Sequence, residues 1–285
     1  MENRRTVFRK LVYRILYKDE RSKENEHLGI LGPVVTITPD APVFVTLMNV
    51  GPKPVSIHPG AGIRVTLVEG EVSPDGMSVA PEKTAKFIWE LPENFRFSEK
   101  APNVTDLNPY PECTATLYTS HHDKVGDLYA GLMGPILICP KEREQSPMEF
   151  LVRRLFTSYF RFDEARSSLQ YLNRLTEEER TSQSLVFDTV NGRLMGDADR
   201  AAFEIYSKQT VDWYMFAVGD VEDLHSIHFS GASFTFVDHE NYDSIRVSDS
   251  MVIFPGQSVA GLAMVGRMKP LPPGIWPIQC QGKFI

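Results

Sequence analysis

Seven histidines and three cysteines are the softest potential ligands in this 285-residue chain. The densest run is Leu224-His225-Ser226-Ile227-His228-Phe229-Ser230-Gly231. Side chains alternate faces along a strand, so His225 and His228, an odd step apart, point to opposite sides. Cys280, in Gln279-Cys280-Gln281, would supply a thiolate, and a mixed imidazole and thiolate set suits copper or zinc. His58 in Ser56-Ile57-His58-Pro59 and the adjacent His121 and His122 are further donors. The last two are strand neighbours and point apart, so they cannot serve one site together. Asp238, His239 and Glu240 fall on an expected hairpin turn, where polar residues belong anyway. No Gly-Xaa-Ser-Xaa-Gly elbow, phosphate loop or His-Glu-Xaa-Xaa-His helix occurs.

The elements that would position these residues are short. Apolar runs at 34–38, 43–49, 63–68, 85–89, 114–119 and 135–138 alternate with turn residues such as Gly51-Pro52 and Pro59-Gly60. A second set covers 150–161, 203–206, 211–217, 225–229, 233–237, 250–254, 259–265 and 275–280. Regularly spaced short strands predict sandwiches or barrels. Between the sets, residues 140–147 are charged and bounded by prolines, which marks a connection. Residues 167–180, rich in Glu, Arg and Leu, are expected to form a short surface helix or to stay disordered. Gly-Ile-Leu-Gly-Pro at 29–33 echoes Gly-Leu-Met-Gly-Pro at 131–135, and Ser56-Ile57-His58 echoes Ser226-Ile227-His228. An echo over more than a hundred residues points to two related units, not a solenoid.

Composition narrows the classes. Hydrophobic content of 42% and charged content of 24% are those of a globular protein large enough for a real core. A net charge of −7 argues against nucleic acid or an anionic membrane as the main partner. No apolar run approaches the roughly 20 residues a membrane helix needs. The start, Met1-Glu2-Asn3-Arg4-Arg5, lacks the apolar centre of a signal peptide. Three cysteines allow one bridge and one odd thiol. Asn103-Val104-Thr105 is a glycosylation acceptor if the chain is secreted.

Taken in order, Glu26-His27-Leu28-Gly29-Ile30-Leu31-Gly32-Pro33, Ser56-Ile57-His58-Pro59, Tyr118-Thr119-Ser120-His121, Gly131-Leu132-Met133-Gly134-Pro135, Phe162-Asp163-Glu164, Val190-Asn191-Gly192 and the 224–231 run form a pattern over nearly the whole chain. It resembles one A-type repeat, a pair of plastocyanin-like (cupredoxin) domains, of the ceruloplasmin, hephaestin and coagulation factor V and VIII family. The His-Leu-Gly-Ile-Leu-Gly-Pro and His-Ser-Ile-His-Phe-Ser-Gly segments look most like the third A repeat of the coagulation cofactors. The resemblance implies an all-β chain of two tandem Greek-key sandwiches, 1–145 and 146–285. The sequence ends at Ile285, so the second is expected to lack its last hairpin.

The same resemblance assigns His225 and Cys280 to a mononuclear copper site, whose second His and Met would lie beyond Ile285. A trigonal blue-copper site needs two His and one Cys, so only a remnant is expected. The family's trinuclear cluster uses four His-Xaa-His pairs. Here Gly60, Thr119 and Ser230 stand where the partners of His58, His121 and His228 would be, and Gln279 and Gln281 flank Cys280. His58, His121 and His228 are left as a remnant interface site, with copper at low occupancy. The family's acidic calcium loop would fall near Glu69, Glu71, Asp75 and Glu82, but these are spread among Pro and Gly, so calcium is the weaker expectation. Cys113 and Cys139 match the family's intradomain disulfide. The implied function is a non-catalytic cofactor module in secreted blood-coagulation-type proteins, binding other A-type repeats and a serine protease. The alternative is a repeat of a copper-dependent ferroxidase of the ceruloplasmin and hephaestin type.

Overall fold

A computed structural model describes residues 8–16, 23–74, 77–95, 113–140, 152–181, 185–194, 203–206, 209–220, 222–237, 245–255, 262–268 and 271–283. The boundary expected near residue 145 and Asn103 lie outside these residues.

Strands β1 (Val35–Ile37), β2 (Val43–Met48), β3 (His58–Pro59), β4 (Arg64–Gly70), β5 (Thr84–Glu90), β6 (Thr114–Thr119) and β7 (Met133–Ile138) make two sheets, ordered β2-β5-β4 and β1-β7-β6-β3. Helix α1 (Lys124–Ala130) joins β6 to β7, capped by the Asp123 carboxylate, which accepts from the Gly126 amide. Beyond residue 151 come β8 (Val152–Asp163), α2 (Glu177–Thr181), β9 (Val186–Val190), β10 (Arg193–Leu194), β11 (Thr210–Val218), β12 (Leu224–Phe229), β13 (Phe234–Val237), β14 (Ile245–Ser248), β15 (Ser250–Ile253), β16 (Met264–Met268) and β17 (Ile278–Lys283). They form a seven-stranded sheet, β10-β9-β8-β11-β16-β13-β14, and a three-stranded one, β15-β12-β17.

Side-chain parity stacks these sheets into four layers. In β7, Ile136 and Ile138 join the first core with Phe87 and Trp89, while Met133 and Leu137 face the other way. In β8, Phe156, Phe160 and Phe162 meet Met133 and Leu137, and Leu155 and Tyr159 enter a third core with Ile227 and Phe229. Strand β11 divides alike: Tyr214, Phe216 and Val218 on one side, Val211, Trp213 and Met215 on the other. Strands buried on both faces read as continuous apolar runs rather than alternating ones. That explains the apolar runs at 133–138 and 213–218.

The motifs at 26–33 and 190–192 meet across this junction. The Asn191 amide donates to the carbonyls of His27 (2.7 Å) and Phe156 (2.9 Å), and its oxygen accepts from the Ser158 amide at 2.7 Å. Buried His27 accepts the Phe156 amide through Nε2 at 3.1 Å. Gly29 sits at φ +54°, with Asn191 O 2.2 Å from where a Cβ would lie, so only glycine fits.

Residues 167–180 meet the expectation of a short surface helix only at their end, in the exposed α2. They run as turns into the short α2, with Ser167, Leu169 and Leu175 buried. The Ser168 amide donates to Gly126 O (2.9 Å) and its hydroxyl to Asp127 (2.9 Å), which ties the segment to α1. Residues 203–206 are not a strand; Phe203 instead packs edge-on against Trp213, with ring centroids 5.2 Å apart.

Phe160 is fully buried in the middle core, so Phe160→Ala should cost about 3–5 kcal/mol, measurable by urea denaturation. A loss below about 1 kcal/mol, within the range of surface changes, would contradict this packing.

Candidate metal-binding residues

Strands β12 and β17 run antiparallel with Ile227 opposite Cys280 and His225 opposite Gly282. His225, Ile227 and Phe229 are buried and their neighbours are less so, which puts His225 inside the sandwich and His228 outside. Cys280 Sγ lies 3.8 Å from His225 Nδ1, and the Tyr159 ring stands 6.0 Å from the imidazole. Burial pushes the thiol up to about 12, with the charge of Asp188 adding to it. Burial also lowers His225, against smaller raising effects of Asp188 and Asp223. A neutral thiol therefore faces a neutral imidazole, and His225 Nε2 is buried without a hydrogen-bond partner among the described residues.

Does this pair fit copper? A thiolate and one imidazole are two of three equatorial donors. Among the described residues no three His, Cys, Asp or Glu side chains are grouped closely enough to hold a metal ion. The donor set does not fit a trigonal copper site.

His58, in β3 opposite Thr119, stacks on His121 just past β6, with centroids 4.1 Å apart and planes 26° from parallel. The His121 amide donates to Ser56 Oγ at 2.7 Å, which fixes the approach. Burial pushes His121 down to about 4, helped by the charges of His58 and Lys124. Burial and then Lys124 lower His58 as well. Burial thus keeps both stacked imidazoles neutral, and for His121 the neighbouring His58 adds to it.

At Gly60, where the motif would place another imidazole, a Cβ would meet Thr116 Oγ1 at 2.4 Å and Leu117 O at 3.0 Å. The backbone hugs β6 there, its amide donating to Leu117 O at 2.8 Å. His228 is held on the outer face of β12, with Nδ1 2.8 Å from Ser250 Oγ and 3.9 Å from Asp249 Oδ2. Of the three residues expected at the interface site, His58 and His121 are brought together, whereas His228 is engaged elsewhere.

Cys113 and Cys139 are bridged, with Cα atoms 4.3 Å apart at the start of β6 and just past the end of β7. Closing a loop with a sequence separation of 26 constrains the unfolded chain by about 3 kcal/mol. In the acidic region Glu69 pairs with Lys86 (2.5 Å) and Glu71 with Lys83 (3.2 Å), Glu82 has φ +62°, and Asp75 lies outside the described residues. Residues 238–240 lie outside them too.

Sequence reasoning missed Asp127. It is fully buried, ion-paired with Lys53 (2.5 Å), and accepts from Ser120 (2.6 Å) and Ser168 (2.9 Å). Its only local sign was an acid in the first turn of a capped helix.

Residues 164–283 match the multicopper oxidase family. Human ceruloplasmin (Homo sapiens) is 29% identical over 290 residues, covering 96% of this chain and 25% of that protein. Human hephaestin is 29% identical over 278 residues, covering 91% of this chain and 21% of its own. Coagulation factor VIII of Canis lupus familiaris is 28% identical over 273 residues, covering 91% and 11%. The chain thus spans about a quarter or less of the length of these relatives, and the identities do not separate ceruloplasmin and hephaestin from coagulation factor VIII. Among solved structures, a blue copper oxidase from Nitrosomonas europaea superposes with TM-score 0.54 at 14% identity, covering 87% of this chain and 69% of that one. The copper nitrite reductase of the same organism gives 0.53 at 17%, covering 88% and 77%.

The raised thiol predicts slow alkylation. At pH 8 the native free Cys280 should react roughly a thousandfold more slowly than in urea, because the thiolate fraction is that much smaller. Equal rates would refute the burial argument. The histidine stack predicts a pH dependence. With His121 titrating near 4 rather than 6.5, the folded chain binds fewer protons than the unfolded chain between those values. Stability should therefore fall as pH drops through that window, and His121→Gln should flatten the fall. A pH profile unchanged in that variant would remove the stack as its cause.

Proposed function

We propose that this chain, a cupredoxin pair of the multicopper oxidase family, works as a non-catalytic protein-binding cofactor module with degenerate copper sites. The observation that carries the reading is the His225–Cys280 pair: two donors in contact, with no third His, Cys, Asp or Glu grouped with them among the described residues. Gly60 supports it from the other sandwich, since a ligand position is filled there by close backbone packing. What the scaffold retains is shape, and shape serves binding.

The partners are other A-type repeats, of the same or a longer chain, and a serine protease. The setting is extracellular, as the Cys113–Cys139 bridge favours, and Asn103 carries a glycan there. The module acts in the manner of the coagulation cofactors and holds copper at most at low occupancy. The stacked His58 and His121 favour a second reading, a repeat of a copper ferroxidase whose cluster another repeat completes.

The two readings separate by metal analysis. The purified chain, dialysed against copper, should hold much less than one ion, show no intense blue charge-transfer band, and oxidise ferrous iron no faster than buffer. One copper per chain with that band, and iron oxidation that tracks copper content, would establish the ferroxidase reading instead.

A further inference from the structure

Asn191-Gly192 is the single Asn-Gly step in the sequence. It forms the two-residue turn between β9 and β10, with Val190 paired to Arg193 across it. Both turn residues take positive φ, +52° and +74°, the conformation for which Asn-Gly is the preferred sequence in a tight hairpin. Gly192 is also pressed against Ile30, whose Cγ2 lies 2.7 Å from where a Cβ would stand. The fold therefore requires, at this turn, the dipeptide most prone to lose its side-chain amide. In a free chain no side chain on Gly192 hinders its backbone nitrogen from reaching the amide carbon of the asparagine.

In the folded chain that reaction is closed. An asparagine side chain offers two donors and two acceptor positions, and those of Asn191 are all engaged. Nδ2 donates to His27 O and Phe156 O, and Oδ1 accepts from the Ser158 amide at 2.7 Å and from its hydroxyl at 3.3 Å. The residue is buried. Its main chain is held as well: the amide donates to Ser158 O (3.0 Å) and the carbonyl accepts the Ile30 amide (2.9 Å). Swinging Cγ onto the Gly192 nitrogen means giving up the side-chain bonds together and leaving buried partners unpaired.

We propose that Asn191-Gly192 is a site of spontaneous deamidation, shut while the turn is closed, and that modification during an opening leaves the junction unable to close again. In the step, the Gly192 nitrogen bonds to Asn191 Cγ, the Cγ–Nδ2 bond breaks, and ammonia leaves with the Gly192 amide proton. Water then opens the cyclic imide to aspartate or isoaspartate. No oxidant or catalyst takes part. A carboxylate at 191 has acceptors only. It sets an oxygen against the His27 and Phe156 carbonyls, where the amide donated, and buries a charge beside them. Isoaspartate inserts an extra backbone carbon and breaks the turn. Either product unties residues 26–33 from β8, so a transient opening becomes a permanent one. Strand β10 is only two residues long and ends the order of its sheet, the kind of edge where local opening starts.

The test is peptide mapping by mass spectrometry of the full chain aged near pH 8, once native and once in urea, with Asp and isoAsp products separated by chromatography. The unfolded chain should lose ammonia at 191 steadily. The native chain should do so at least about a hundredfold more slowly, at a rate set by its open population. When urea is removed from a partly aged sample, the fraction that regains the native form should carry Asn191, and the fraction left behind Asp or isoAsp. Asn191→Asp, the direct product, should lower the urea midpoint by about 1 M. The gap to the parent chain should narrow as pH falls toward about 4, where the carboxyl takes up a proton and regains a donor. Equal rates in native and unfolded chain, or an unmodified 191 in urea, would overturn the proposal. So would modified chain in the refolded native fraction, or an Asn191→Asp midpoint equal to the parent's. Where that variant does not fold, the ageing and refolding measurements decide alone.

Discussion

The apolar layer between the two middle sheets, where Phe156, Phe160, Tyr214 and Phe216 meet Met133 and Leu137, sets the position of every other part. Dispersion and water exclusion act there on strands already buried on their opposite faces, so a shift in one sandwich would disturb three cores at once. The Ala263 amide donates across this layer to Ala115 O at 2.7 Å, adding direction to an otherwise non-directional contact. A junction this apolar holds two units as one body, unlike the wetter contacts that allow domain motion. The His58–His121 stack and the His225–Cys280 pair are therefore held at fixed places.

What the junction holds in place are pairs of potential ligands. Cys280 and His225 are brought within contact by the β12–β17 register, but burial raises the one and lowers the other, so neither carries charge. His58 and His121 are stacked by the β3–β6 register, and burial again selects the uncharged form. A multinuclear metal centre needs several donors converging on one point. Among the described residues convergence stops at pairs, each set by strand register.

The alternation of Leu224–Phe229 was legible because His225, Ile227 and Phe229 are buried in turn, as a half-exposed strand requires. The strands around the first core were legible for the same reason, and the Cys113–Cys139 bridge through resemblance. Strands β9, β10 and β14 were not, because short polar segments such as Ile245–Ser248 owe their form to the neighbour they pair with. Residues 167–180 misled by composition: Leu169 and Leu175 face the protein, held by Ser168 bonding to α1, a contact across some forty positions that no local pattern announces. The meeting of His27 with Asn191 was likewise invisible, although both motifs had been singled out. The hydrogen bond of His228 to Ser250 was out of reach too, because Ser250 becomes its partner only through the β12–β15 register.

Gly60 carries a lesson for anyone wishing to rebuild a metal centre on this scaffold. An imidazole could not simply be grafted there, since the Thr116 hydroxyl and the Leu117 carbonyl occupy the space its first carbon would need. Reinstating the ligand calls for a paired change, with position 116 trimmed to alanine or glycine and the adjoining loop eased away from β6. The space beside position 60 is filled by its neighbours, so placing an imidazole there takes more than one substitution.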